Sequence, residues 1–270
     1  MLRALECLPA APGFVTEHYT PDGVVGGEHG RMYFTAENAS RIDTVRTRIS
    51  DWGTDGLLDR SQEQLLLATL IQAADRVANT TGVYASFVKS WQPNARKPLR
   101  LRPIRPTVPP TEAASACTAF RGRARELLRS AGPVDLLYLD PPYNERQYPG
   151  YYHLPELLAQ GWDPPPELRG KTGLIPDDEL RSDWCRRGRC EDALRQLLDA
   201  ADAKHILLSY NDEGLLTPEA IEAAFRATGV PDSFRRFGRG YRRYRSDADG
   251  PARRYRGDSV RERVYYVRRA

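Results

Sequence analysis

The residues with the clearest chemical potential form one short turn, Asp140, Pro141, Pro142 and Tyr143, directly after an apolar run. Asp140 offers a carboxylate, and Pro141 offers a main-chain carbonyl held in a stiff backbone. These two acceptors suit the two N–H donors of an exocyclic amine and would favour a more tetrahedral, nucleophilic nitrogen. Tyr143 adds an aromatic face on which a base can stack. Because an enzyme that modifies a base must first unstack it, this turn predicts chemistry on a nucleobase.

The apolar run at residues 134–139 has to position this turn. We predict a buried central strand there, because the run is mostly apolar and β-prone and two prolines cannot continue a ladder. A parallel strand is predicted at 205–210, followed by a polar loop at 209–214 that either lines the same crevice or caps the next helix. The simplest alternative for the turn itself is a Pro-Pro bend in which Tyr143 fills the core.

The remaining pattern predicts an α/β protein. Residues 1–30 are rich in glycine and proline and are predicted to be loop, and 163–176 is predicted to be a mobile loop. A hairpin is expected from 233–237 pairing antiparallel with 263–268 at the sheet edge, and a short strand from 114–120. Helices are predicted at 36–52, 62–77, 122–130, 154–161, 190–203 and 218–228.

The net charge of +4 conceals a strongly basic carboxyl-terminal end. Residues 235–270 contain thirteen arginines and four acidic residues, so this end carries a net charge of +9 and the rest of the chain −5. A basic lobe is the electrostatic footprint of a protein that binds a phosphate backbone. The whole chain has only four lysines, so arginine abundance alone also fits a compositional bias, and the clustering is the stronger indication.

The amino-acid composition is that of a globular protein rather than a membrane or disulfide-rich one. A chain of 270 residues with 40% hydrophobic and 28% charged residues is long enough for a core and ordinary for a globular protein. We expect no membrane span and no secretory signal. Cys185 and Cys190 lack the second ligand pair of a zinc site, so we expect no metal centre and predict reduced thiols in a cytoplasm.

The turn and several further segments resemble the D12 class of N6-adenine DNA methyltransferases. The Asp-Pro-Pro-Tyr turn is typical of amino-methyltransferases, and an acid in first place favours adenine, since relatives acting on N4 of cytosine more often have serine there. The resemblance covers most of the chain. Its other segments are residues 31–38, 74–84, 87–89, 144–148, 151–153, 209–214, 241–245 and 264–267.

The resemblance implies a Rossmann-like methyltransferase sheet with helical and loop insertions. It also implies transfer of a methyl group from S-adenosylmethionine to N6 of adenine in double-stranded DNA, as in restriction-modification. Asp140, Pro141, Pro142 and Tyr143 would form the catalytic turn. Asp140 would also contact the cofactor, as would Asn79 in the 74–84 segment.

Two groups of cations and aromatic rings are candidates for DNA contact. Arg146 and Tyr148 follow the catalytic turn, where a cation and a ring suit a flipped base and its phosphates. A second group, on the predicted hairpin, mixes both types: Tyr241, Arg242, Arg243 and Arg245. A solvated hairpin face is the alternative for this second group. We therefore predict a helical and loop insertion, similar to a target-recognition region, at 1–110, and a catalytic core with a basic hairpin at 111–270.

The sequence departs from the family's pattern in the part that should bind the cofactor. The family normally begins with a strand, a glycine turn and an acid that hold S-adenosylmethionine. The glycine-rich residues 23–30 follow no apolar strand, and Arg123 stands where the family tends to place an acid. We therefore expect an amino-terminally truncated sheet that needs a missing segment or a partner chain beside the 134–139 strand. The alternatives are an inactive DNA-binding remnant, half of a split enzyme, and methylation of N4 of cytosine or of RNA.

Overall fold

A computed structural model describes residues 1–104, 117–176, 178–242 and 259–269. Contacts divide the chain into unit 1, Met1–Thr111 with Tyr148–Leu180, and unit 2, Glu112–Gln147 with Arg181–Ala270. Residues 148–180 thus pack in unit 1, whereas the sequence assigns them to the catalytic core. The roles of the two parts remain predictions.

The described residues form a mixed α/β chain in which most of the helices precede the first strand. The helices are α1 (Leu2–Glu6), α2 (Phe14–Tyr19), α3 (Val24–Glu28), α4 (Ala36–Thr54), α5 (Arg60–Val77), α6 (Ala124–Ala131), α7 (Tyr148–Tyr151), α8 (His153–Gln160), α9 (Cys190–Ala200) and α10 (Pro218–Thr228), with 3-10 turns at Asp178–Leu180 and Asp183–Cys185. The strands are β1 (Val134–Leu139), β2 (Ala203–Asn211), β3 (Arg235–Arg242) and β4 (Ser259–Arg268). No helix among the described residues is both long and apolar enough to cross a bilayer.

Helices α4 and α5 form the core of unit 1, as their periodicity predicts. Ile42, Val45 and Ile49 lie on one face of α4 and are fully buried. Helix α5 begins at a capping box, in which Asp59 and Gln62 satisfy each other's main-chain N–H groups. Helix α2 packs on α4, and α8 packs on α5.

Residues 1–30 form three short helices, so the prediction of a loop there is wrong. For α2, the cause is a tertiary contact with Asp43 of α4, which is buried. Its carboxylate accepts hydrogen bonds from the main-chain N–H groups of Gly13, Val15 and Thr16 at 2.8–2.9 Å. This carboxylate satisfies the free donors at the start of α2. A cap supplied by a distant helix leaves no local pattern in the sequence.

The sheet of unit 2 has the strand order β1-β2-β4-β3. Strands β1 and β2 are parallel, and Leu139 lies opposite Leu208. Strand β4 is antiparallel to both β2 and β3, and Phe237 lies opposite Val264. The parallel pair and the carboxyl-terminal hairpin are therefore confirmed. One buried cluster joins α9, α10 and the sheet: Leu139, Leu194, Leu198, Ile206, Leu208, Ile221, Phe225, Tyr265 and Val267.

Strand β1 lies at the edge of this sheet, so the prediction of a buried central strand is wrong for the described residues. Leu136 and Tyr138 are 53% and 58% exposed, and Leu139 is buried. An apolar run is suited to burial on both faces, but it does not reveal whether a neighbouring strand is present. One edge of β1 and the face that carries Leu136 and Tyr138 are consequently open in the part of the chain that the structure describes.

Two further segments with a predicted structure, 114–120 and 163–176, contain no helix or strand among their described residues. Of the strand predicted at 114–120, residues 117–120 have no regular structure and 114–116 lie outside the described residues. The 163–176 loop contains a hairpin turn closed by a bridge between Arg169 and Leu174.

Candidate active site at the carboxyl end of strand β1

The chain leaves β1 at Asp140, which is exposed to solvent. Among the described residues, no group donates a hydrogen bond to the Asp140 carboxylate or to the Pro141 carbonyl. The ring of Tyr143 is 48% exposed. The two prolines stop the ladder, so these groups stand clear of the sheet hydrogen bonds. The turn therefore presents two unengaged acceptors and an accessible aromatic face.

The loop after β2 supports this turn through its main chain. Leu215 N donates to the carbonyl of Tyr143 at 2.9 Å, and Leu216 N donates to the hydroxyl of buried Tyr210 at 3.2 Å. A Cβ on Gly214 would lie 2.2 Å from the Tyr210 ring, so only glycine fits there. Tyr210 and Gly214 thus help to support the turn, a role that neither interpretation of residues 209–214 included.

A reciprocal amide contact fixes the other end of the turn. Gln147 Nε2 donates to Ser182 O at 3.1 Å, and Ser182 N donates to Gln147 Oε1 at 2.8 Å. The buried thiol of Cys185 donates to Arg146 O at 3.2 Å. The chain between Asp140 and Gln147 is thus held at Tyr143, Arg146 and Gln147. The sequence offered no signal for this role of Gln147, because its partner lies 35 residues away.

The candidate DNA contacts near the turn are both exposed. Arg146 lies in unit 2, where its N–H donates to Asn144 Oδ1 at 3.0 Å. Tyr148 begins α7 in unit 1, is 53% exposed and meets the ring of Tyr152 edge-on at 5.8 Å between centroids.

Tyr241 and Arg242 lie on β3, all eight residues of which are exposed. Tyr241 is 50% exposed, and the guanidinium of Arg239 lies 5.5 Å from the centre of its ring. Arg242 follows on the opposite face. Arg243 and Arg245 lie outside the described residues. Together with Arg235, the described part of β3 forms an exposed row of cations and aromatic rings.

Asn79 has a different environment from the one the cofactor prediction requires. It is fully buried in unit 1. Its Nδ2 donates to Met32 O and Val88 O at 2.9 and 2.8 Å, and its Oδ1 accepts from Gln92 N at 3.0 Å. A cofactor would have to break these bonds to reach the amide. These bonds give Asn79 a structural role in unit 1, and its contact with the cofactor stays a prediction.

The described residues do not by themselves fit S-adenosylmethionine. The glycine-rich residues 23–30 form helix α3 rather than a strand and turn, and Gly26 packs on the carbonyl of Thr20. A polar cavity of about 510 Å³ is lined by Asp135, Lys204 and Arg269, at the amino end of β1 and far along the strand from Asp140. Lys204 and Asp135 pair there at 2.6 Å. We place the candidate site at Asp140, where the acceptors are unengaged.

Comparison with known proteins gives a consistent match. The family model for D12 class N6 adenine-specific DNA methyltransferases matches residues 9–224. The chain is 36% identical to the type II methyltransferase M.FokI of Planomicrobium okeanokoites over 95% of this chain and 37% of that protein. It is 36% identical to M.NlaIII of Neisseria lactamica over 92% of this chain and 69% of that protein. It is 32% identical to the modification methylase StsI of Streptococcus sanguinis over 86% of this chain and 34% of that protein.

The chain therefore spans little more than a third of two of these relatives and about two thirds of the other. No solved structure matches the chain significantly.

Proposed function

Because the chain belongs to the D12 class of N6 adenine-specific DNA methyltransferases, we propose that it transfers a methyl group from S-adenosylmethionine to N6 of adenine in double-stranded DNA. One observation carries this proposal. At the end of β1, the Asp140 carboxylate and the Pro141 carbonyl are both unengaged among the described residues, and the Tyr143 ring is accessible two residues further on.

Asp140 and Pro141 would each accept one N–H of the adenine amine. Two acceptors outside the plane of the base would draw the nitrogen toward a tetrahedral geometry and direct its lone pair at the methyl group. Tyr143 would hold the unstacked base against its ring. The amine becomes more acidic as it gains the methyl group, so no strong base is required. Catalysis then depends on positioning and on exclusion of water, without a covalent enzyme intermediate.

Strand β3 would bind the DNA backbone. Its arginines are exposed, and their positive charge attracts the phosphates of DNA whatever the base sequence. The rings of Phe237 and Tyr241, 60% and 50% exposed, would add stacking or apolar contact. This role also explains why the excess positive charge is concentrated after residue 235 rather than spread over the chain.

The edge of β1 that is open among the described residues would receive a further strand. Parallel sheets are normally covered on both faces, and β1 leaves Leu136 and Tyr138 more than half exposed. S-adenosylmethionine would be held by Asp140 together with residues of that strand. It supplies the electrophilic methyl group when bound. This arrangement would complete a Rossmann-like sheet in which β1 is central.

The test is transfer of labelled methyl groups from S-adenosylmethionine to unmethylated duplex DNA, followed by identification of the labelled base. The 270-residue chain is assayed alone and also extended by any in-frame sequence encoded directly upstream. Label on N6 of adenine in either preparation supports the proposed reaction, and label only with the extended chain supports the additional strand as well. Label on cytosine, or no label in both preparations, contradicts the proposed reaction.

Loss of the Gln147 side chain is expected to slow this reaction without unfolding the protein. In Gln147→Ala, both bonds to Ser182 are lost and the turn that carries Asp140 loosens, so kcat should fall by about 10²-fold, as a displacement of about 1 Å can cause. Gln147→Glu keeps the acceptor for Ser182 N and loses the donor to Ser182 O. Its kcat should therefore lie between those of the wild type and Gln147→Ala. A wild-type kcat in Gln147→Ala would show that the contact does not position the turn.

A further inference from the structure

The hairpin turn at residues 169–174 presents cations at the surface of unit 1. Arg169 N donates to Leu174 O at 2.7 Å, and Leu174 N donates to Arg169 O at 2.9 Å, which closes the turn. The side chains of Arg169 and Lys171 are exposed. The sequence assigned no function to either residue.

A buried guanidinium holds the tip of this turn. Arg31 is only 1% exposed, and it donates from Nε to Lys171 O at 2.9 Å and from Nη2 to Gly170 O at 3.0 Å. The hydroxyl of buried Tyr19 donates to Gly173 O at 2.6 Å. Three hydrogen bonds to main-chain carbonyls, those of residues 170, 171 and 173, therefore fix the backbone that carries the Lys171 side chain.

The turn can approach Arg31 only because residue 173 is glycine. Gly173 has φ +70°, a conformation that other residues rarely adopt. A Cβ at this position would lie 2.9 Å from the guanidinium carbon of Arg31 and 3.0 Å from the Tyr19 ring. Glycine at position 173 therefore leaves the space that the buried Arg31 side chain occupies beneath the turn.

The charge of Arg31 is not neutralised by a carboxylate among the described residues. Its third contact is also a carbonyl, since Nη1 donates to His18 O at 2.9 Å. Burial lowers the pKa of this guanidinium, and the nearby groups that oppose the shift are the phenols of Tyr19 and Tyr33. A neutral side chain would fill this volume with a smaller desolvation cost. Arg31 instead adds a positive charge beneath a tip that itself bears Lys171.

We propose that this turn contacts the DNA backbone through Lys171, and that Arg31 is the positioning residue that orients the tip. The proposal rests on the proposed function and adds a phosphate contact from unit 1. The ligand is a phosphate group of duplex DNA, which an ammonium group binds as a point charge and without regard to sequence.

The test measures the dissociation constant of the full chain for duplex DNA as a function of salt concentration. Lys171→Gln should weaken binding about three- to tenfold, equally for different sequences, and should reduce the slope of log K against log salt by about 0.9. The matched control is Lys204→Gln, which removes the same charge from an exposed lysine paired with Asp135 in unit 2. The control should leave the slope unchanged.

A double-mutant cycle tests the positioning role of Arg31. If Arg31 orients the tip, Lys171→Gln should cost less affinity in an Arg31→Lys background than in the wild type. An equal cost in both backgrounds would restrict Arg31 to a structural role and overturn that half of the proposal. An unchanged affinity and slope in Lys171→Gln would overturn the phosphate contact.

Failure of this inference is distinguishable from failure of the proposed function. A wild-type chain that binds DNA while Lys171→Gln binds it equally well contradicts only the turn contact. A wild-type chain that binds no DNA at any salt concentration contradicts the proposed function and the turn contact together.

Discussion

Replacement of Asp140 by alanine is expected to reduce methyl transfer to adenine by about 10²–10³-fold or more while DNA binding persists. The substitution removes the only side-chain acceptor that we assign to the amine, and loss of one preorganised polar group at a reacting centre has effects of this size. Asp140 is exposed and makes no hydrogen bond with other described residues, so its loss should leave the fold intact. Single-turnover transfer of labelled methyl groups and a separate DNA-binding measurement give the two readouts.

Asp135→Ala is the matched control for this prediction. Asp135 lies at the amino end of β1, the strand that Asp140 follows, is also exposed, and pairs with Lys204. An exposed ion pair contributes little to stability, so this variant should transfer methyl groups at the wild-type rate. Equal losses in the two variants would point to a general effect of charge on the strand, and a fully active Asp140→Ala would refute the assignment of the site.

Replacement of Asn79 by alanine is expected to destabilise unit 1 by about 3 kcal/mol or more. The substitution leaves the partly buried carbonyls of Met32 and Val88 and the N–H of Gln92 without their side-chain partner, and a polar group left unsatisfied in a buried position costs about 1–3 kcal/mol. Amide hydrogen exchange separates the two units: exchange in α4 and α5 should accelerate, and exchange in β2 and β4 should not.

Asn94→Ala provides a graded comparison. Asn94 is only partly buried, and its one short hydrogen bond runs from Nδ2 to Ala78 O at 2.9 Å. Its loss should cost about 1 kcal/mol. If Asn79→Ala leaves hydrogen exchange unchanged but weakens binding of S-adenosylmethionine, the cofactor contact implied by the resemblance is right and the structural role is wrong.

Local patterns were sufficient for the elements whose stability is local. Periodic apolar residues and the Asp59 cap predict α4 and α5 closely, because each helix carries its own buried face and its own start signal. The parallel pair β1–β2 was also predicted, because apolar runs that end at a turn encode strands directly, and the hairpin β3–β4 was predicted with shorter strands than the structure shows.

Elements that depend on distant partners were not predictable in this way. Helix α2 is capped by the carboxylate of Asp43, about thirty residues away. Arg31 was visible in the sequence only as part of a segment resembling the family. That it is buried beneath residues 170–173, some 140 positions further along, follows from the tertiary contacts alone.

The sequence by itself determined the chemical character of the candidate site and its place at the end of a strand. The catalytic turn consists of four adjacent residues, Asp140, Pro141, Pro142 and Tyr143. Its two acceptors and its aromatic ring are therefore close together in any fold of the chain. Only the tertiary structure decided what supports them: Leu215 donates to the carbonyl of Tyr143, and Ser182 pairs with Gln147. The physical reason is that hydrogen bonds and burial depend on proximity in space, which a sequence pattern specifies only over a few neighbouring residues.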